Sequence, residues 1–164
     1  MCGVAGIINF DKRPVSSVDL KKMTDAISHR GPDGEGHWID ENIGIGHRRL
    51  SIIDLSHAGH QPMMSRDSQY ILSYNGEIYN YKVLRKELEK NFSFKTSSDT
   101  EVLLASYIKW GEKMFKKIEG MFSFVIYNIK KNKIFFARDL FGQKPLYYSI
   151  DKNELIFSSE IKPI

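Results

Sequence analysis

A chain of 164 residues with 41% hydrophobic and 27% charged side chains can bury one core and is too apolar to stay disordered. Its net charge of +4 comes from scattered lysines rather than a basic stripe, so no nucleic-acid partner is expected. One cysteine excludes an intrachain disulfide, and no segment approaches the roughly 20 apolar residues of a membrane span.

Gly3 to Phe10 reads as a buried strand. It contains Gly6 and Asn9 and has no basic region before it, so no signal peptide is predicted. A soluble cytoplasmic protein is the expectation. Ser16 or Ser17 should cap a helix reaching about Ser28, with Leu20, Met23 and Ile27 on one face. His29 to Gly34 carries Gly and Pro and reads as a loop. His37 to Asp40 and Ile43 to His47 read as short strands with a turn at Glu41-Asn42, and Leu50 to Met64 as irregular chain.

Tyr70 to Tyr74 alternates as a strand. Asn75-Gly76 follows directly, a dipeptide that on its own favours a type I′ hairpin turn. Asn80 should cap a helix through Lys90, with Val83, Leu84 and Leu88 inward. Ser98-Asp99-Thr100-Glu101 is a capping-box pattern. It precedes an amphipathic stretch, Val102 to Lys109, that stops near Gly111. A short helix is expected over Lys113 to Ile118. The period then changes to two: Met121 to Ile129 pairs with Lys133 to Arg138, and Leu146 to Ile150 with Glu154 to Ser158. Strands outnumber helices and hairpins outnumber crossovers. That predicts an α+β fold with antiparallel sheets covered by helices.

Cys2 is the chemically unusual residue. A small residue after Met1 permits methionine removal, which would give Cys2 a free amine beside its thiol. Reference pKa values of about 8.5 for the thiol and about 7.7 to 8.0 for the amine make the amine a competent base near neutrality. It can take the thiol proton, directly or through a water, with no separate histidine. Taken alone, a Met-Cys start reads more simply as a small buried hydrophobe beside a strand. His47, His57 and His60 lack Cys or carboxylate partners at ligand spacing, so no metal site is expected. His29 and Arg30 should tie down the Gly-Pro loop, and Phe122, Phe124, Tyr147 and Tyr148 should pack in the core.

The opening Met1-Cys2-Gly3-Val4-Ala5-Gly6 resembles the start of a class II glutamine amidotransferase domain, an N-terminal-nucleophile hydrolase. Five further blocks occur in that family's order: His29 to Gly34, Arg49 to Asp54, Asn75 to Asn80, Ser98 to Glu101, and Arg138-Asp139 through Phe141 to Tyr148. Together they resemble the glutaminase domain of glutamine-hydrolysing asparagine synthetases along essentially the whole chain. The resemblance implies a four-layer αββα sandwich. It implies hydrolysis of glutamine to glutamate and ammonia through a Cys2 thioester, with the ammonia used in an ATP-dependent amidation.

By that resemblance Asn75 and Gly76 supply the oxyanion donors, the first from its side chain and the second from its backbone N–H. Arg49 holds the substrate α-carboxylate, in preference to Arg48. Glu77 and Asp99 accept from the α-ammonium, and Leu50, Ser51, Ile52 and Ile53 line the pocket with backbone groups. The glutaminase reaction needs no cofactor. ATP and Mg are expected only for a C-terminal synthetase domain, whose Ser-Gly-Gly-x-Asp-Ser signature is absent, so residues 1–164 read as a single domain that stops before it. A homodimer is compatible with the resemblance, and the ammonia acceptor is not readable. Two alternatives stay open: a glutaminase domain of another class II amidotransferase, or a non-catalytic glutamine-binding or interaction module of the same fold.

Overall fold

The computed structural model describes all residues, Met1–Ile164. Strand β1 (Gly3–Asn9) is buried along its whole length because both its faces are covered. The chain continues through α1 (Ser17–Ala26), β2 (Gly34–Asp40), β3 (Ile43–Arg49), β4 (Met63–Met64), β5 (Tyr70–Ile78), α2 (Tyr81–Leu88) and α3 (Asp99–Trp110). It ends with β6 (Gly120–Asn128), β7 (Lys133–Arg138), β8 (Tyr147–Ile150) and β9 (Glu154–Ser158). Single 3₁₀ segments sit at Ser28–Arg30, His57–Gly59 and Gly111–Lys116.

The strands form two antiparallel sheets. One has the order β2-β3-β1-β9-β8 and the other β4-β5-β6-β7. Three apolar clusters separate four layers. Ala5, Ile7, Leu20, Met23 and Ile27 join α1 to the first sheet. Val4, Ile8, Ile45, Ile71, Val125 and Phe157 fill the space between the sheets. Leu72, Leu84, Leu88, Leu103 and Phe124 join the second sheet to α2 and α3. Each fully buried Leu or Phe contributes about 1.5–3 kcal/mol relative to exposure. The result is the αββα sandwich, with period-2 alternation deciding which sheet face each residue serves.

Local chemistry sets the helix ends. Ser16 caps α1 by accepting from Asp19 N–H at 3.2 Å. Ser98 caps α3 by accepting from Glu101 N–H. The reciprocal half of the expected capping box is absent, because Glu101 accepts from the Lys95 and Thr96 N–H groups instead. Gly111 ends α3 with φ +56°, a left-handed conformation that favours glycine.

Four local expectations are corrected. The strand expected over Tyr70 to Tyr74 runs on to Ile78, with Asn75 and Gly76 inside it opposite Ser123 and Phe122. Asn80 does not cap α2; its side chain bridges Lys117 O and Glu119 N–H. Val83 faces solvent at 69% exposure, leaving Leu84 and Leu88 to carry the buried face. Tyr147 and Tyr148 are exposed on the edge strand β8, whereas Phe122 and Phe124 are core. No helix is long and apolar enough to cross a membrane.

Candidate active site

Cys2 precedes the central strand of the first sheet, and the register Gly3↔Arg48 sets it beside Arg49. Its thiol donates to Leu50 O at 3.6 Å and lies 3.4 Å from Leu50 N–H. Burial pushes the thiol pKa up, while the Leu50 hydrogen bond, the amino terminus and Arg49 pull it down. Arg30 holds the Cys2 carbonyl through Nε at 2.9 Å and pairs with Glu160 at 2.9 Å. His29 also reaches Glu160, at 3.0 Å. Arg30 therefore joins the N-terminus to the segment after β9, and His29 braces the same Glu160, rather than both pinning only the loop that contains them.

Strand alternation divides Arg48 from Arg49. Arg48 leaves the cavity and pairs with Asp25 and Glu35 beside α1. Arg49 enters the cavity, donating to Ser56 O at 2.7 Å and to Asp54 O. An added Cβ at Gly59 would meet Arg49 Nη2 at 2.5 Å, so this glycine makes room for the guanidinium.

The second sheet contributes through β5. Ile71 and Ser73 point at the first sheet, Ser73 Oγ donating to Gly46 O at 3.2 Å. Asn75 points the same way by alternation. It is 1% exposed, and its side-chain N–H₂ has no hydrogen-bond partner. Buried polar groups are rarely left so.

The backbone carries a matching feature. Tyr74 N–H turns away from β6 to donate to Gln61 Oε1 at 2.8 Å, and Ile78 N–H does the same toward Asp99 Oδ2 at 3.0 Å. Gly76 N–H, midway between them, points the same way by the antiparallel ladder, into the cavity that Gly76 lines. A Cβ there would lie 2.6 Å from the Tyr74 ring and 2.8 Å from Phe122 Cα, so no other residue fits.

Asp99, in the first turn of α3, accepts from Tyr74 O–H at 2.7 Å as well as from Ile78 N–H. Burial raises its pKa, and these two hydrogen bonds pull it back. Tyr74 is held well above its ordinary pKa by burial and by Asp99. His47 is wholly buried, which depresses its pKa to about 3. It lies 3.0 Å from the Tyr74 carbonyl, which can only accept, so Nε2 carries the proton and the ring is neutral.

Cys2, Arg49, Leu50 to Ile53, Asn75, Gly76, Glu77 and Asp99 all line one cavity of about 200 Å³. Every residue to which the resemblance gives a site role is thus brought together. Met1, Asp54, Gly59, Gln61, Tyr74, Met121 and Lys144 line it too and were not singled out. Asp54 and Lys144 lay inside blocks already marked, so block membership was the available signal for them. Tyr74 and Gln61 carried none. No group of three or more His, Cys, Asp or Glu residues is placed to hold a metal.

A glutamine amidotransferase domain family matches residues 1–164. Asparagine synthetase (glutamine-hydrolyzing) 1 of Bacillus subtilis strain 168 is 46% identical over 100% of this chain and 26% of its own length. Asparagine synthetase B (glutamine-hydrolyzing) of Escherichia coli K12 is 37% identical over 100% of this chain and 30% of its own. Amidase chry2 of Gibberella zeae is 36% identical over 99% of this chain and 26% of its own. The chain spans 22% to 35% of the length of curated asparagine synthetases that it matches. Among solved structures, a glutamine phosphoribosylpyrophosphate amidotransferase from B. subtilis superposes with a TM-score of 0.83. It covers 99% of this chain and 42% of that one at 22% identity, a likeness of fold. The chain belongs to the glutamine amidotransferase domain family.

Proposed function

We propose that this domain hydrolyses the side-chain amide of glutamine, with Cys2 as an N-terminal nucleophile once Met1 is removed. The observation that carries the proposal is the buried, unpartnered Asn75 amide facing the sheet that bears Cys2. A desolvated donor with no partner in the resting fold is suited to a charge that exists only during reaction.

In this reading the freed Cys2 amine takes the thiol proton, directly or through a water. The thiolate attacks the glutamine amide carbon, forming a C–S bond and an oxyanion. Asn75 Nδ2–H and Gly76 N–H donate to that oxyanion. The C–N bond then breaks, the amine returns its proton, and ammonia leaves. Water cleaves the γ-glutamyl thioester to glutamate and regenerates the thiol.

Arg49 serves the α-carboxylate. Two of its five N–H groups are used by loop carbonyls, so three remain for a carboxylate. Asp99 serves the α-ammonium with Oδ1, since Oδ2 takes both protein hydrogen bonds. Glu77 stands at the exposed rim and completes the acceptor side. Leu50 to Ile53 supply backbone edges. No cofactor is needed for these steps.

We further propose that the ammonia feeds an ATP- and Mg-dependent amidation on a synthetase domain, as the names of the longer relatives suggest. Aspartate is the first acceptor to test, and the cytoplasm is the setting the single cysteine favours.

Intact mass spectrometry with the glutamine-shaped electrophile 6-diazo-5-oxonorleucine tests the nucleophile. The expected result is a chain lacking Met1 that gains one adduct at Cys2 and releases glutamate from glutamine. Cys2→Ala should abolish both adduct and turnover. A retained Met1 with no turnover would instead favour a binding module.

A further inference from the structure

Arg49 is aimed by a short segment that has its own anchor. The segment's carbonyls at Asp54 and Ser56 accept from the guanidinium, and Gly59 leaves it space. The Asp54 carboxylate does something separate. One oxygen accepts from Ser56 N–H at 2.8 Å and Ser56 O–H at 2.6 Å, closing the turn on itself. The other accepts from Ser97 N–H at 2.8 Å and Ser97 O–H at 3.2 Å, across 43 residues of sequence. Ser97 stands two residues before Asp99 and next to the α3 cap. Asp54 is buried, and these hydrogen bonds hold its pKa down to about 2, so it is ionised throughout the working range.

We propose that Asp54 is a positioning residue that fixes the spacing between Arg49 and Asp99, and so selects a ligand carrying an α-carboxylate and an α-ammonium together. This rests on the glutamine reading above and adds what sets its amino-acid specificity. Arg49 ends β3 of the first sheet, whereas Asp99 belongs to the helix that covers the second. The Asp54 carboxylate ties the segment seating Arg49 to the entry of that helix. Charge-assisted hydrogen bonds of this kind are the strong ones, and a carboxylate accepting four of them has little freedom to move.

The geometry separates two reactivities of Cys2. Iodoacetamide needs only the thiol. 6-Diazo-5-oxonorleucine also needs the α-amino-acid clamp. In Asp54→Ala and in Ser97→Ala we expect labelling by 6-diazo-5-oxonorleucine to slow, by roughly tenfold or more for Asp54→Ala and less for Ser97→Ala. Iodoacetamide labelling should keep its wild-type rate. The KM for glutamine should rise by a similar factor while kcat holds within about threefold. Equal slowing of both reagents would mean that the carboxylate merely holds the fold, and unchanged rates for both would mean that the latch is idle. Either result overturns the inference. Ser97→Ala removes only one hydroxyl and serves if Asp54→Ala fails to fold. A wild-type chain that takes iodoacetamide but not 6-diazo-5-oxonorleucine would sink the glutamine reading itself and the inference with it.

Discussion

The two sides of the cavity are built differently. On one side, Asn75 and Gly76 sit within the nine-residue strand β5, held by its ladder to β6 and backed by Tyr74 of the core and the buried Asp99. On the other, Arg49 ends β3 and the chain then runs through Leu50 to Gly59 with no regular ladder, exposing Ile52 at 73% and Leu55 at 77%. Donors for a transient oxyanion gain from a rigid frame, since they must not reorganise during reaction. Groups that hold the ground state need only be aimed, which the Asp54 latch does without a ladder. The rigid side should therefore govern kcat, and the segment side KM.

The largest expected effect lies on the strand side. Asn75→Ala should lower kcat by about 10²–10³-fold with KM nearly unchanged, read from steady-state glutamate release. A change confined to KM would place Asn75 on the ground-state side and erase the contrast. Arg49→Lys, on the segment side, should raise KM by roughly 10- to 100-fold, because an ammonium cannot match a carboxylate with a planar fork. A loss in kcat alone would break the division from the other direction.

The smallest effect on rate is expected at His47, whose neutral ring donates from the first sheet to the Tyr74 carbonyl of the second. Its consequence is for stability. The folded pKa of about 3 lies below the unfolded value of about 6.5, so the unfolded chain binds the extra proton between them. Stability contributed by the neutral ring is complete above about pH 6.5 and falls as pH drops toward 3. Arg49 and His60 are the charged or titratable groups that also bear on the ring, and both disfavour its protonation. Melting temperature against pH should show this slope in the wild type and a shallower one in His47→Gln. Parallel curves would mean that His47 does not carry the acid sensitivity.

Much of this was legible in the sequence. β1, α1, the paired C-terminal strands and the inward Leu84 and Leu88 follow from period and caps. Arg48 and Arg49 face opposite ways once β3 extends through them, and the preference for Arg49 rests on the family resemblance. What could not be read depends on contacts distant in sequence. Asn75-Gly76 looks like a turn until Ser123 and Phe122 extend the ladder past it. Arg30 gives no hint that it holds Cys2, nor Asp54 that it meets Ser97. Val83 breaks its apolar pattern only because α2 offers one narrow face to α3 and the sheet. Tyr147 and Tyr148 lie on an edge strand, so alternation that would bury one of them in a central strand leaves both exposed.

The register between β1 and β3 bears on how this domain tolerates change in length. Arg48 and Arg49 are chemically identical neighbours, and the register of β3 with β1 and β2 decides which one enters the cavity. Losing or gaining one residue in the Glu41-Asn42 connection would exchange their places while leaving composition and charge almost untouched. Single substitutions there should act through stability, since Asn42 Nδ2 donates to Asn9 O at 2.7 Å, whereas single insertions or deletions should silence the domain. Along β3, the count of residues is itself a functional constraint.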